Sequence, residues 1–192
     1  VVHIPPFEER CKYISVALCH RGQRLSDQPF AAQYPGLLTS GIDSQRNYIY
    51  RSIVADCLRV MDYLVSCDDV DSQKISLVGG DLALFTAALR DSASVLFYTP
   101  SLFYKALLKA KVTQNYPLEE FNDYLRSFPE SIDQISQTLA YFEPMNFASR
   151  VESEVMLMEE SEGDANDLAV SFVREIERSG SKHSSYKDGV VL

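Results

Sequence analysis

The chain has 192 residues, 46% of them apolar and 23% charged, an ordinary globular balance with length enough for one domain with a sizeable core. A net charge of −9 argues against nucleic acid and anionic membrane surfaces as partners, because both require a basic face. No apolar run approaches the roughly 20 residues needed to span a bilayer.

The opening Val1-Val2-His3-Ile4-Pro5-Pro6 has no initiator Met and no basic leader, and reads as the middle of a protein. The four cysteines, Cys11, Cys19, Cys57 and Cys67, form no CxxC pair and have no histidine at metal-ligand spacing. They read as small buried hydrophobes in a reducing compartment, which favours the cytoplasm. No metal or other cofactor is expected.

Strand and helix patterns alternate along the chain. Lys12–Cys19 is an apolar run expected to form a buried strand. A polar loop rich in Gly and Pro follows to Ser44. Gln45–Ser66 carries Ile49, Ile53, Val54, Cys57, Leu58, Met61 and Leu64 at helical spacing. Lys74–Val78 and Ser94–Tyr98 are expected strands, and Asp81–Arg90, apolar nearly all round, a buried helix between them. Residues 101–141 read as an insertion of two or three helices. Val155–Met158 is a further strand and Asp167–Arg178 a helix, with His183–Leu192 irregular. This alternation predicts an α/β fold, a mostly parallel sheet flanked by helices.

One turn carries the chemistry. Lys74–Val78 runs into Gly79-Gly80-Asp81-Leu82-Ala83, an apolar strand followed by small-x-Asp-x-small and a helix. That is the pattern of a nucleophile elbow, in which a sharp turn lifts one side chain at the carboxyl edge of the sheet. The backbone N–H of the next residue, Leu82, is aimed at a developing oxyanion. A capping role for Asp81 on the following helix is the bland alternative.

Further segments give this turn a context. Arg21-Gly22-Gln23, Tyr48-Ile49-Tyr50-Arg51 with Asp56, Arg59 and Asp62, and Val70-Asp71 with Lys74-Ile75 stand in that order. Tyr116-Pro117 with Glu120, Tyr124, Leu125 and Arg126 follows, then Thr138-Leu139-Ala140-Tyr141-Phe142-Glu143 with Asn146, Phe147 and Ala148. In these motifs the chain resembles the acetyl xylan esterase and cephalosporin-C deacetylase family of carbohydrate esterases. The resemblance implies an α/β-hydrolase fold, here a single partial domain over 1–192 whose N-terminal strands are missing. It also implies an acetylated carbohydrate as ligand, a homo-oligomer, and, for an active member, carboxylic-ester hydrolysis.

The departures from the family pattern are chemical. The family elbow is Gly-x-Ser-Gln-Gly-Gly, so Asp81 stands at the nucleophile position and the following Gln and both glycines are replaced. The family's acid follows the Val155–Met158 strand, where Asp164 is the candidate and Asp167 competes. The family's base comes near the end, where His183 is the candidate. The second oxyanion donor comes from a His-Gly-Tyr segment. Here Pro5-Pro6-Phe7 stands there, and proline has no N–H, so Phe7 is the remaining donor.

A carboxylate is a poor nucleophile for an ester carbonyl, since it would form a mixed anhydride. Its charge also opposes the oxyanion, by roughly 4 kcal/mol at ~4 Å and intermediate dielectric. The expectation is an esterase-like protein impaired or inactive as a serine esterase, a pseudoenzyme. A non-catalytic carbohydrate-binding or assembly module is the alternative. A lesser one is an Asp-nucleophile hydrolase of the dehalogenase or epoxide hydrolase type, which attacks sp³ carbon.

Overall fold

In a computed structural model of the chain, residues 14–99, 101–158 and 183–186 are described, the last four and Met158 by their backbone only. Residues 1–4, Phe7, Asp164, Asp167 and the helix expected over Asp167–Arg178 lie outside the described residues.

The first long element, helix α1 (Ile49–Val65), forms where Ile49, Ile53, Cys57, Met61 and Leu64 recur on one side. Tyr48 at its N-terminus is buried, and its hydroxyl donates to the Leu38 carbonyl at 2.8 Å. Strand β1 (Ile75–Gly79) leads through Gly80 into α2 (Asp81–Leu89), which buries Leu84, Phe85, Ala87 and Ala88. Strand β2 (Ala93–Tyr98) follows. The next region holds three α-helices, α3 (Ala106–Ala110), α4 (Glu119–Ser127) and α5 (Ile132–Ala140). A short α6 (Met145–Ala148) precedes β3 (Glu154–Met158) and β4 (His183–Tyr186).

Among the described residues four strands lie in sequence order, β1-β2-β3-β4, and every pairing is parallel. Parallel neighbours require crossovers, and α2 and the helical region supply the first two. Leu96, Tyr98 and Val155 of the sheet meet Leu84, Ala87 and Ala88 of α2 in one apolar cluster. Phe85 on the same helix belongs to a second cluster with Tyr48, Phe103, Phe121, Ile135 and Phe142, which joins the helical region to α1. Two bidentate ion pairs brace α1 from outside. Arg21 grips Asp56 at 2.6 and 2.7 Å, and Arg90, just after α2, grips Asp62 at 2.5 and 2.9 Å.

Two expectations are corrected. Residues 14–19 form no strand, and Ile14 and Val16 are exposed. An apolar run sets what a strand would bury, while pairing makes it a strand, and this run pairs with none of the four. Conversely, within the stretch expected to be irregular from His183 to Leu192, the described residues His183–Tyr186 pair with Val155–Met158 as β4.

Candidate functional site

The turn at Gly79-Gly80 joins β1 directly to α2. The unusual backbone falls on Gly79, at φ 151°, a conformation open to glycine. Asp81 is already the first residue of α2, and its φ is not positive. The side chain is only 5% exposed.

Four donors converge on the Asp81 carboxylate. The Tyr98 hydroxyl donates to Oδ1 at 2.9 Å and the Ser101 hydroxyl to the same oxygen at 2.6 Å. The backbone N–H groups of Leu102 and Phe103 donate to Oδ2 at 2.7 and 2.8 Å. A carboxylate offers about four acceptor positions, so this set saturates it. The bonds run to the end of β2 and the loop after it, not back to the α2 N-terminus. Asp81 therefore ties two crossovers together and is not a helix cap. Burial and the nearby Asp81 charge together raise the Tyr98 phenol well above its ordinary range, which keeps it a donor.

The loop that Asp81 holds is fixed from other sides too. Ser101 Oγ accepts the Tyr104 N–H at 2.8 Å, and Lys109 Nζ donates to the Ser101 carbonyl at 2.6 Å. Burial lowers the Lys109 pKa, while Asp81 and Glu143 pull it back up. Glu143 takes the Lys105 N–H at 3.2 Å, and burial raises its carboxyl. Lys105 itself sits at φ 50°, a costly conformation for a residue with a side chain. The Phe103 ring packs edge-on against Tyr50 at 4.7 Å and lies 5.9 Å from Phe142.

The other site candidates distribute as follows. Leu82 lies in the first turn of α2, where N–H groups have no intrahelical partner. His183 opens β4, in register with Val155, and through it with Leu96 and Leu77. Its backbone is thus three strand spacings from β1, on the order of 14 Å. Sequence reasoning missed Tyr98, Ser101, Lys109 and Glu143. Ser101 is 20 residues from Asp81, and no local spacing signals such a pair.

Arg21, Tyr48 and Asp56, which carried the resemblance, work in the framework. Arg21 holds Asp56 below the ordinary carboxylate range and its guanidinium lies 4.8 Å over the Phe30 ring. Glu120 accepts the Leu38 N–H at 2.8 Å, fixing the loop before α1 onto α4.

The comparisons with known proteins agree with this framework. Residues 10–165 match the family described as Acetyl xylan esterase (AXE1). The chain is 34% identical over 123 residues to acetyl esterase Axe7A of Xylanibacter ruminicola, covering 60% of this chain and 26% of that protein. The structure is similar to an acetyl xylan esterase from Paenibacillus sp. R4, with a TM-score of 0.71 and 25% identity, over 88% of this chain and 57% of that one. Acetyl xylan esterase 1 from Thermoanaerobacterium sp. JW/SL YS485 shares the fold, with a TM-score of 0.63 and 21% identity, over 82% and 53%. The chain thus spans about a quarter of the curated relative and just over half of each solved structure. With an α/β-hydrolase-type parallel sheet and a family match over most of its length, the chain belongs to the acetyl xylan esterase family.

Proposed function

We propose that this domain keeps the framework of an acetyl xylan esterase but does not deacetylate by the serine mechanism, Asp81 standing at the nucleophile position as a structural strut. The four hydrogen bonds accepted by the buried Asp81 carboxylate carry this reading. Nucleophilic attack needs an uncommitted lone pair aimed into space that substrate can reach. Each Asp81 oxygen is already shared by two donors, and loop 101–103 lies against it.

The same bonding weighs against the Asp-nucleophile alternative. Attack on sp³ carbon also needs a free carboxylate oxygen, and freeing one would strand at least one donor, at about 1–3 kcal/mol for a buried group. Under this reading Asp164 and His183 are inherited acid and base positions, and Leu82 and Phe7 inherited oxyanion positions, without a nucleophile to serve. The ligand class implied by the family is an acetylated carbohydrate, bound rather than cleaved.

The test is turnover of p-nitrophenyl acetate and acetylated xylo-oligosaccharide by the protein, with radiolabelled acetyl substrate to detect an acyl-enzyme. The expected result is a rate at the buffer background and no label retained. Stoichiometric label on the protein, or a burst of p-nitrophenol, overturns the reading.

A further inference from the structure

The turn before α3 is capped as the start of a longer helix that it does not form. Ser101 Oγ accepts the Tyr104 N–H at 2.8 Å, the bond that an N-cap serine makes three residues into a helix. The N–H groups of Leu102 and Phe103 would be orphan donors in the first turn of that helix, and Asp81 takes both, at 2.7 and 2.8 Å. On the far side, the Lys105 carbonyl accepts the N–H groups of Leu108 and Lys109, both at 3.0 Å, so α3 is already under way.

One residue stands between the two halves. Lys105 lies at φ 50° and ψ 39°, left-handed backbone that is costly for a residue with a Cβ. The bond that would join the halves runs from the Lys105 N–H to the Ser101 carbonyl, four residues back. Both of its ends are diverted to side chains. The Lys105 N–H donates to Glu143 Oε2 at 3.2 Å, and the Ser101 carbonyl accepts from Lys109 Nζ at 2.6 Å. The other Glu143 oxygen, Oε1, is buried without a hydrogen-bond partner. Lys105 is exposed, so a change in its backbone need not carry its side chain into the core.

We propose that residues 101–105 are a two-state turn worked by Glu143. With the Glu143 carboxylate on the Lys105 N–H, the turn is kinked as observed. With that acceptor neutral or removed, Lys105 takes right-handed backbone and its N–H bonds the Ser101 carbonyl. Helix α3 then lengthens by one turn to span 102–110, with Ser101 and Asp81 as its ready cap.

A charged acceptor makes the stronger bond, so ionised Glu143 favours the kink and protonated Glu143 the longer helix. The groups facing Glu143 are Asp81 at the start of α2, Tyr98 on β2, Lys105 in the turn and Lys109 on α3. Burial first, and then the Asp81 charge, raise the Glu143 carboxyl above its ordinary 4.5, while the Lys105 N–H opposes them. Because that N–H bond belongs to the kink, the kink binds the proton less tightly and gains as pH rises.

Nuclear magnetic resonance of the whole chain tests this at Lys105. A strong Overhauser effect between its own N–H and Hα marks positive φ, and an effect from Leu102 Hα to the Lys105 N–H marks the helix. The wild type at neutral pH should show the first, and should exchange it for the second as pH falls to about 5. Glu143→Ala should show the helix at both pH values. Lys105→Gly, which removes the cost of left-handed backbone, should not show it at either. Thermal unfolding checks that each variant is folded, and if Glu143→Ala is not, the wild-type titration and Lys105→Gly decide. A wild type that keeps positive φ at Lys105 over the whole range, a folded Glu143→Ala that stays kinked, or a helical Lys105→Gly overturns the proposal.

Discussion

The Tyr98 hydroxyl donates to Asp81 Oδ1 across 2.9 Å, joining the last residue of β2 to the first residue of α2. The bond closes a square in which the turn after β1 and the turn after β2 share one carboxylate. Removing that carboxylate orphans two backbone N–H groups and two hydroxyls in a buried setting. Asp81→Ala should therefore cost about 3–5 kcal/mol, the range for breaking a buried polar network. Tyr98→Phe, which removes one donor and keeps the ring, should cost about 1 kcal/mol. Chemical denaturation of both variants and of the double variant measures the coupling. A loss below 1 kcal/mol for Asp81→Ala would end the strut reading.

Much of this framework was legible in the sequence because it is local. Strand, Gly-Gly and helix in direct succession announced the turn at Asp81, and the apolar spacing of Ile49 to Leu64 announced α1. The role of Asp81 was not legible. Its donors come from 17 to 22 residues away, and two of them are backbone groups that any residue would supply. The run from Ile14 to Leu18 misled for a related reason: its composition favours a strand, but no described strand lies alongside it to pair with.

Gly79 carries the backbone geometry of the turn. At φ 151° an added Cβ would be strained and would meet Ala83 Cβ at 3.4 Å. Gly79→Ala should destabilise by about 1–3 kcal/mol. Gly80, at φ −85° and ψ −137°, also lies outside the main regions open to side chains, so Gly80→Ala should cost stability too, though without the positive φ of Gly79. Urea midpoints of the two variants measure the losses, and a loss at neither position would show that the strain lies elsewhere.

The Arg21–Asp56 pair predicts an acid-side loss of stability. Arg21 lowers the Asp56 carboxyl below its ordinary 3.8, chiefly through the hydrogen bond. A depressed folded value means stability that is fully present above the unfolded value and disappears as pH falls through the folded one. The stability difference between wild type and Asp56→Asn should be constant from pH 5 to 7, on the order of 1 kcal/mol. It should shrink below pH 4, as thermal unfolding across that range would record. A difference independent of pH down to 2 would contradict the pairing.

Glu143 predicts the opposite sign. Burial raises its carboxyl above the ordinary 4.5, and one of its oxygens, Oε1, is buried without a hydrogen-bond partner. A raised folded value gives stability that is fully present below the unfolded value and is lost as pH rises through the folded one. Glu143→Gln, which stays neutral, should therefore gain on the wild type between pH 4 and 8. Unfolding temperatures at these two pH values measure the change. A wild type that gains on Glu143→Gln as pH rises would instead show a carboxylate stabilised by its neighbours.

A serine placed at position 81 should not give this domain esterase activity. In Asp81→Ser the new hydroxyl would start α2 with helical backbone, beneath the loop of residues 101–103, and not on a raised turn. It would be shorter than the carboxylate and leave the Leu102 and Phe103 N–H groups short of an acceptor. The residues that follow are no better suited: Leu84 is fully buried in the α2 core. The backbone of His183 enters the sheet three strands from β1, so a general base would have to reach across the carboxyl edge. A triad stripped of its nucleophile still gives ~10³–10⁴-fold acceleration when the oxyanion hole is intact. The kcat/KM of Asp81→Ser for p-nitrophenyl acetate should rise less than tenfold over the wild type, with its folding confirmed by circular dichroism. A larger rise, abolished again by His183→Ala, would mean that loop 101–103 swings aside and that only the nucleophile had been lost.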